Sequence, residues 1–131
     1  HGLTTKDLTI GKKQIEKIKN LIIQKISEED ISENFVLTEF LSSEIHRDYS
    51  AISKLFSQNE NVTLEQHFIL QKIEKVKELL LYQEFTLTEI SQKLGYKSVQ
   101  HLSSQFKKIT GFSPTQFLKS KEKKRIALDK V

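Results

Sequence analysis

Residues Thr86–Phe117 read TLTEISQKLGYKSVQHLSSQFKKITGFSPTQF, and three helices with two sharp stops can be read from them. Thr86 or Thr88 is placed to accept the first free amides of a helix carrying Leu87, Ile90 and Leu94. A hydroxyl just before an apolar-periodic run satisfies N–H groups that have no partner inside the helix. Gly95 closes that helix, because a residue without Cβ enters the left-handed conformation of a C-terminal cap at little cost. Ser98 caps the next helix, with Val99, Leu102, Phe106 and Ile109 as its apolar positions, and Gly111 ends it. Ser113-Pro114 opens a third, with proline at the first helical position, where its missing N–H is not needed.

The same shape occurs upstream. Phe35, Val36, Leu37, Phe40, Leu41 and Ile45 fit a helix ending near His46, with Ser32 or Asn34 as its cap. A turn through Arg47 and Asp48 follows, and Asp48 or Ser50 can cap a short helix, about 49–57, whose inward residues are Ile52, Leu55 and Phe56. In both units a Leu or Ile stands four residues before a Phe: Ile52 and Phe56, then Leu102 and Phe106. Between the units Thr63 and Gln66 make a capping box for a long helix, Leu64 to Tyr82, with Phe68, Ile69, Ile73, Val76, Leu79 and Leu80 on its apolar face. The expected fold is all-α and homeodomain-like: two helix-turn-helix units, about 35–57 and 86–110, joined by this connecting helix.

Composition narrows the function. With 37% hydrophobic residues and 8 Phe among 131, the chain can build a core despite 29% charged residues. Cysteine is absent, which removes disulfides, thiolate metal sites and a Cys nucleophile. No apolar run reaches the roughly 18 residues that a membrane helix needs, so a cytoplasmic protein is expected, on the nucleoid if it binds DNA. Charge is lopsided: through Phe85 there are 11 Lys and Arg against 14 Asp and Glu, and from Thr86 onward 10 against 3. The last third therefore carries the field that an anionic partner feels.

Ahead of the tandem units, Ile15, Ile18, Ile22 and Ile26 make residues 11–26 an amphipathic helix, and Ser27 to Asn34 reads as a polar, acidic linker. Three uses of that isoleucine stripe remain open: docking on its own domain, pairing two chains as a homodimer, or leading to an absent upstream sensor domain. The chain starts His1-Gly2 without methionine, so these two residues are expected to be left over from cloning, with a natural protein continuing upstream of Leu3. Residues 1–10 are read as the last strand of such a domain. The expected organisation is an N-terminal segment 1–34, a tandem unit 35–118 and a basic tail 119–131.

Thr86–Phe117 resembles the second helix-turn-helix of the AraC/XylS family of bacterial regulators, whose pattern is roughly I/V-A-x-x-x-G-[YF], then S-x-x-[HY]-[FL]-S-x-x-F-K-[KR], then G-x-[ST]-P. Ile90, Gly95, Tyr96, Ser98, His101, Leu102, Ser103, Phe106, Lys107, Lys108, Gly111, Ser113 and Pro114 keep it. The stretch from Asp48 to Phe56 is similar to the family's first recognition helix, and Lys72 to Leu80, KIEKVKELL, to its connecting helix. The resemblance spans Phe35 to Leu118. Four departures stand out: Glu60-Asn61-Val62-Thr63 where a Gly-containing turn is usual, Ser91 for Ala, Lys72 for Arg, and Leu118 where Arg often follows the final aromatic. Asn61 can adopt the left-handed turn, so the fold is expected to survive, with weaker phosphate affinity.

What the resemblance implies is a transcription regulator that binds double-stranded DNA, with two recognition helices, about 49–57 and 98–109, in adjacent major grooves about 34 Å apart. Carried over position by position, the base-contacting residues are Tyr49, Ser50, Ser53 and Lys54 in the first helix, and Val99, Gln100, His101, Ser103 and Ser104 in the second. Gln100 suits adenine, Lys54 guanine and Val99 a thymine methyl. Lys97, Lys107 and Lys108 are the phosphate contacts. RNA polymerase is an implied partner if the protein activates; no cofactor, metal or catalytic residue is implied. His46 with Asp48 and His67 with Glu65 are the best material for acid-base chemistry, but they lack paired-histidine spacing, a phosphate loop and a nucleophile elbow. The alternative reading keeps the helix-turn-helix scaffold and uses it to bind protein.

Overall fold

The computed structural model describes the backbone of residues 5–129 and the side chains of residues 11–122. Seven helices lie within them: α1 (Thr5–Ser27), α2 (Leu37–Ile45), α3 (Tyr49–Glu60), α4 (Leu64–Tyr82), α5 (Leu87–Lys93), α6 (Val99–Thr110) and α7 (Pro114–Asp129). No strand longer than an isolated parallel bridge between Ile31 and Leu94 is found among the described residues. Nor is any helix there long and apolar enough to cross a membrane.

α4 organises the rest. It packs against α1 and α3 at one side and against α5, α6 and α7 at the other. Its start is fixed by reciprocal capping: the Thr63 hydroxyl accepts from Gln66 N at 3.1 Å, and the Gln66 side chain accepts from Thr63 N at 3.0 Å. Leu64, Phe68, Ile73, Val76, Leu79 and Leu80 are buried along it, within one core that also takes Ile52 and Phe56 of α3 and Leu102 and Phe106 of α6. The inward pairs Ile52 with Phe56 and Leu102 with Phe106 thus do the packing, with Leu55 at the margin; Val99 is half-buried and Ile109, expected on the apolar face of α6, is exposed.

Ile15, Ile18, Ile22 and Ile26 of α1 enter this same core. Burying four isoleucine side chains is worth about 1.5–3 kcal/mol each, so the stripe docks on its own domain. Pairing two chains through those isoleucines would expose that surface again, which corrects the homodimer contact read for 11–26. The strand read for residues 1–10 is corrected as well: from Thr5 the backbone is helical. Extending an existing helix adds a hydrogen bond with each residue fixed. Residues 1–4 lie outside the described residues.

Three boundaries move. α2 begins at Leu37, with Val36 at the cap position and no side-chain cap. Ser32 instead accepts from Asn34 N at 3.1 Å, and Phe35 turns inward, 5.5 Å from Phe40 and 5.7 Å from Phe68 between ring centroids. α3 runs to Glu60, one turn past the expected 57, and ends on Asn61 in the left-handed region (φ 61°), the role that its side chain suits. The stretch read as a basic tail continues α7 to Asp129, because no glycine or proline interrupts it after Pro114.

Candidate nucleic-acid interface

Each unit offers the outer face of its second helix. In α3, Ile52 and Phe56 point to the core, so the opposite face carries Ser50 and Lys54, both exposed, with Ser53 half-buried at its edge. Gln58 is exposed one turn beyond Lys54 on the same face. It was missed because α3 was expected to stop near 57; the signal available was its i+4 spacing from Lys54. Arg47, exposed just before α3, was also passed over as part of a turn.

Tyr49 is held differently from its neighbours. It is half-buried and its hydroxyl donates to the Glu65 carboxylate at the start of α4. Burial pushes the phenol above its ordinary range, and the Glu65 carboxylate adds to that. The ring therefore fastens α3 to α4, and its hydroxyl is already engaged.

α6 is set by Ser98, whose hydroxyl accepts from His101 N at 3.0 Å, and by Gly111 in the left-handed region (φ 84°). Leu102 and Phe106 face inward; Gln100, His101, Ser104, Lys107 and Lys108 are exposed; Val99 and Ser103 are half-buried. Lys107 and Lys108 occupy the last turn, where a cation also complements the helix dipole, so they have a structural reason to be there. Lys97 has none. It is exposed just ahead of the α6 N-terminus, where a cation is unfavourable unless an anion approaches.

Behind α6 stands Tyr96, buried, its hydroxyl donating to Gln105 Oε1 at 2.6 Å. The His101 ring meets it edge-on at 5.3 Å, and Lys72 Nζ of α4 lies 4.2 Å from its ring centroid and 5.1 Å from that of Phe68. Burial lowers the Lys72 pKa to about 8 and raises that of the Tyr96 phenol. Lys72 thus ties α4 to the second unit through the Tyr96 ring. Ser91, in a place where alanine is usual in the resembled family, is buried and donates to the Thr88 carbonyl at 2.7 Å. Leu118 packs against the core.

The His67–Glu65 pair dissolves in this arrangement. Glu65 is taken by Tyr49, while the His67 ring turns edge-on to Phe56 at 5.1 Å with Nε2 buried and unpartnered among the described residues. No cluster of three His, Asp or Glu among those residues has the form of a metal site.

The helix-turn-helix domain family matches residues 41–120, more than half of the chain. The chain is similar to the probable transcriptional regulator LumQ of Photobacterium leiognathi, 24% identical over 110 residues, covering 84% of the chain and 44% of LumQ. It is also similar to the F1 operon positive regulatory protein of Yersinia pestis, 33% identical over 100 residues, 75% of the chain and 32% of that protein. It therefore spans less than half the length of either relative. The fold matches the C-terminal domain of AraT, a response regulator from Geobacillus stearothermophilus, with a TM-score of 0.71 at 22% identity over 82% of the chain and 84% of that domain. It matches the DNA-binding domain of AdpA, solved in complex with a target DNA, with a TM-score of 0.72 at 16% identity over 85% and 95%. With the matched span covering α3, α4 and α6 and the relatives regulators of the same kind, the chain belongs to the AraC/XylS family of helix-turn-helix transcription regulators, of which it forms a DNA-binding domain.

Proposed function

We propose that the chain reads DNA with α3 and α6 in two successive major grooves on one side of the duplex. The observation that carries this is the pair of exposed polar faces on two helices that both pack against α4: Ser50, Lys54 and Gln58 on α3, Gln100, His101 and Ser104 on α6. Two helices held by one connecting helix are what reading of adjacent major grooves, about 34 Å apart, requires. In this reading Lys54, Gln100 and Ser104 reach base edges, Ser50, Ser53, Val99, His101 and Ser103 support them, and Tyr49 contributes by its ring. Lys97, Lys107 and Lys108 hold phosphates.

The tandem unit 35–118 does the reading, with residues 11–34 as its packed N-terminal brace. The domain acts by binding, without catalysis, on the nucleoid DNA of a bacterial cytoplasm. A contact with RNA polymerase follows if the whole regulator activates, and a dimer, if one forms, uses surfaces other than the buried isoleucines of α1.

Selection from a random duplex library, read at two salt concentrations beside a Gln100→Ala, His101→Ala double mutant, tests this. The expected result is a two-part motif about one turn apart, of which the double mutant loses one part. Absence of any enriched motif at low salt, with retained folding, refutes it in favour of a protein-binding scaffold.

A further inference from the structure

Helices of the first half (α1–α3) and of the second (α5–α7) make no substantial contact with each other among the described residues; α4 lies between them. A second connection is made by the nine-residue strap between α1 and α2, residues 28–36. It leaves α1, crosses to the turn between α5 and α6, and returns to enter α2. At the crossing Ile31 N donates to the Lys93 carbonyl at 2.9 Å, and Ile31 pairs with Leu94 in a parallel bridge. The Ile31 side chain is buried in the common core.

Two further features fasten the crossing. Gly95 has φ 77°, and a Cβ on it would stand 2.7 Å from Ile31 Cγ2 and 2.9 Å from the Ser32 carbonyl oxygen, so the strap runs where any other side chain would be. The Glu29 carboxylate lies 3.5 Å from Lys75 of α4 and 3.7 Å from Lys93 of α5, bringing strap, strut and second unit to one ionic junction. On its way back, the strap places Phe35 against Phe40 of α2 and Phe68 of α4. The strap and α4 thus close a loop around the joint between the two units.

We infer that Glu29 and Ile31 are positioning residues for DNA recognition: by fixing the α5–α6 turn to α2, the strap sets the spacing at which the two half-sites are read. This rests on the two-groove reading above. A rotation of α6 relative to α3 must pass through either α4, a stiff helix, or the strap, and the strap is the connection held by one backbone hydrogen bond, one side chain and one carboxylate. A duplex whose half-sites are moved by one base pair presents the second groove displaced by about 3.4 Å and turned by about 35°. A joint locked on two sides rejects that displacement, and a joint locked by α4 alone follows it.

The test uses duplexes carrying the wild-type motif with the spacer shortened or lengthened by one and two base pairs, bound by wild type, Glu29→Gln, Ile31→Ala and Leu41→Ala. Glu29→Gln changes a surface charge and leaves the core intact. Leu41→Ala is a core truncation in α2 that leaves Glu29 and Ile31 in place, and it reports what lost stability alone does. Wild type and Leu41→Ala are expected to lose about tenfold or more in affinity per base pair of spacer change. Glu29→Gln and Ile31→Ala are expected to lose less than about threefold, with the base preferences inside each half-site unchanged. Equal spacing profiles for wild type and both strap variants overturn the inference while leaving the two-groove reading in place. A Leu41→Ala profile as relaxed as that of Ile31→Ala, with Glu29→Gln unchanged, also overturns it. A wild type without a two-part motif overturns both.

Discussion

Replacing Gly95 and Gly111, one at a time, by alanine separates two reasons for a glycine. Both sit in the left-handed region, at φ 77° and φ 84°, but a Cβ on Gly95 meets Ile31 Cγ2 at 2.7 Å and the Ser32 oxygen at 2.9 Å, whereas one on Gly111 meets nothing within 4 Å. At either position the left-handed conformation costs an L-residue about 1–2 kcal/mol, and the stiffer unfolded chain returns about 0.4–1 kcal/mol. Gly111→Ala is therefore expected to lose about 0–1.6 kcal/mol. Gly95→Ala adds the crowding of a filled core, about 1–3 kcal/mol, because one clashing atom is backbone and cannot rotate away. Its expected loss is about 1–4.6 kcal/mol. Urea titrations followed by circular dichroism, with equal m-values required, give both figures. If Gly95→Ala proves no more destabilising than Gly111→Ala, the close approach of the strap to the α5–α6 turn is wrong.

Removing a phosphate contact by Lys97→Ala, Lys107→Ala or Lys108→Ala is expected to lower the slope of log affinity against log salt by about one for each true contact, read by anisotropy across a salt series. Gln100→Ala is expected to leave that slope alone and to relax base preference at a single position, losing about 1–3 kcal/mol of discrimination there in a selection experiment. Lys72 has a pKa of about 8 in the folded chain against 10.5 ordinarily, so between those values the unfolded chain binds more protons and stability rises with pH. Lys72→Met is expected to gain about 1–2 kcal/mol at pH 7, with the gain shrinking by pH 9. An equal gain at the two pH values in urea titrations would contradict the burial of this ammonium.

The features legible in the sequence are those whose cause is local. The capping box of Thr63 and Gln66, the cap at Ser98, the left-handed Asn61 and the glycine stops each depend on residues within four positions of one another. The inward pairs Ile52 with Phe56 and Leu102 with Phe106 follow from helical periodicity, and the outward faces are what remains. What escaped depends on residues far apart in the chain. Gly95 was readable as a helix stop, but not as the floor beneath Ile31, because nothing in either segment's pattern reports a contact across 64 positions. The hydroxyl of Tyr49 looked free for a base because Glu65 stands 16 residues away, beyond a helix and a turn. Lys72 reads from the sequence only as a departure from Arg; its place against the Tyr96 ring, 24 positions on, is set by tertiary packing. The docking of α1 was one of three open uses of its isoleucines, since an apolar stripe states that it must be covered and leaves open by what.

A helix that lends its side chains to both units also governs how the chain comes apart. α4 contributes Leu64, Phe68, Ile73, Val76, Leu79 and Leu80 to a single core, so neither unit has an interior that would persist once the other has melted. Denaturation is expected to proceed in one sharp cooperative transition, with fluorescence and circular dichroism curves superimposing. The amides of α4 belong to the slowest-exchanging set, opening only with the whole molecule. For a regulator this means that half-folded chains, able to grip one half-site and block it, are scarce: the domain is present on DNA as a complete reader or is absent from it.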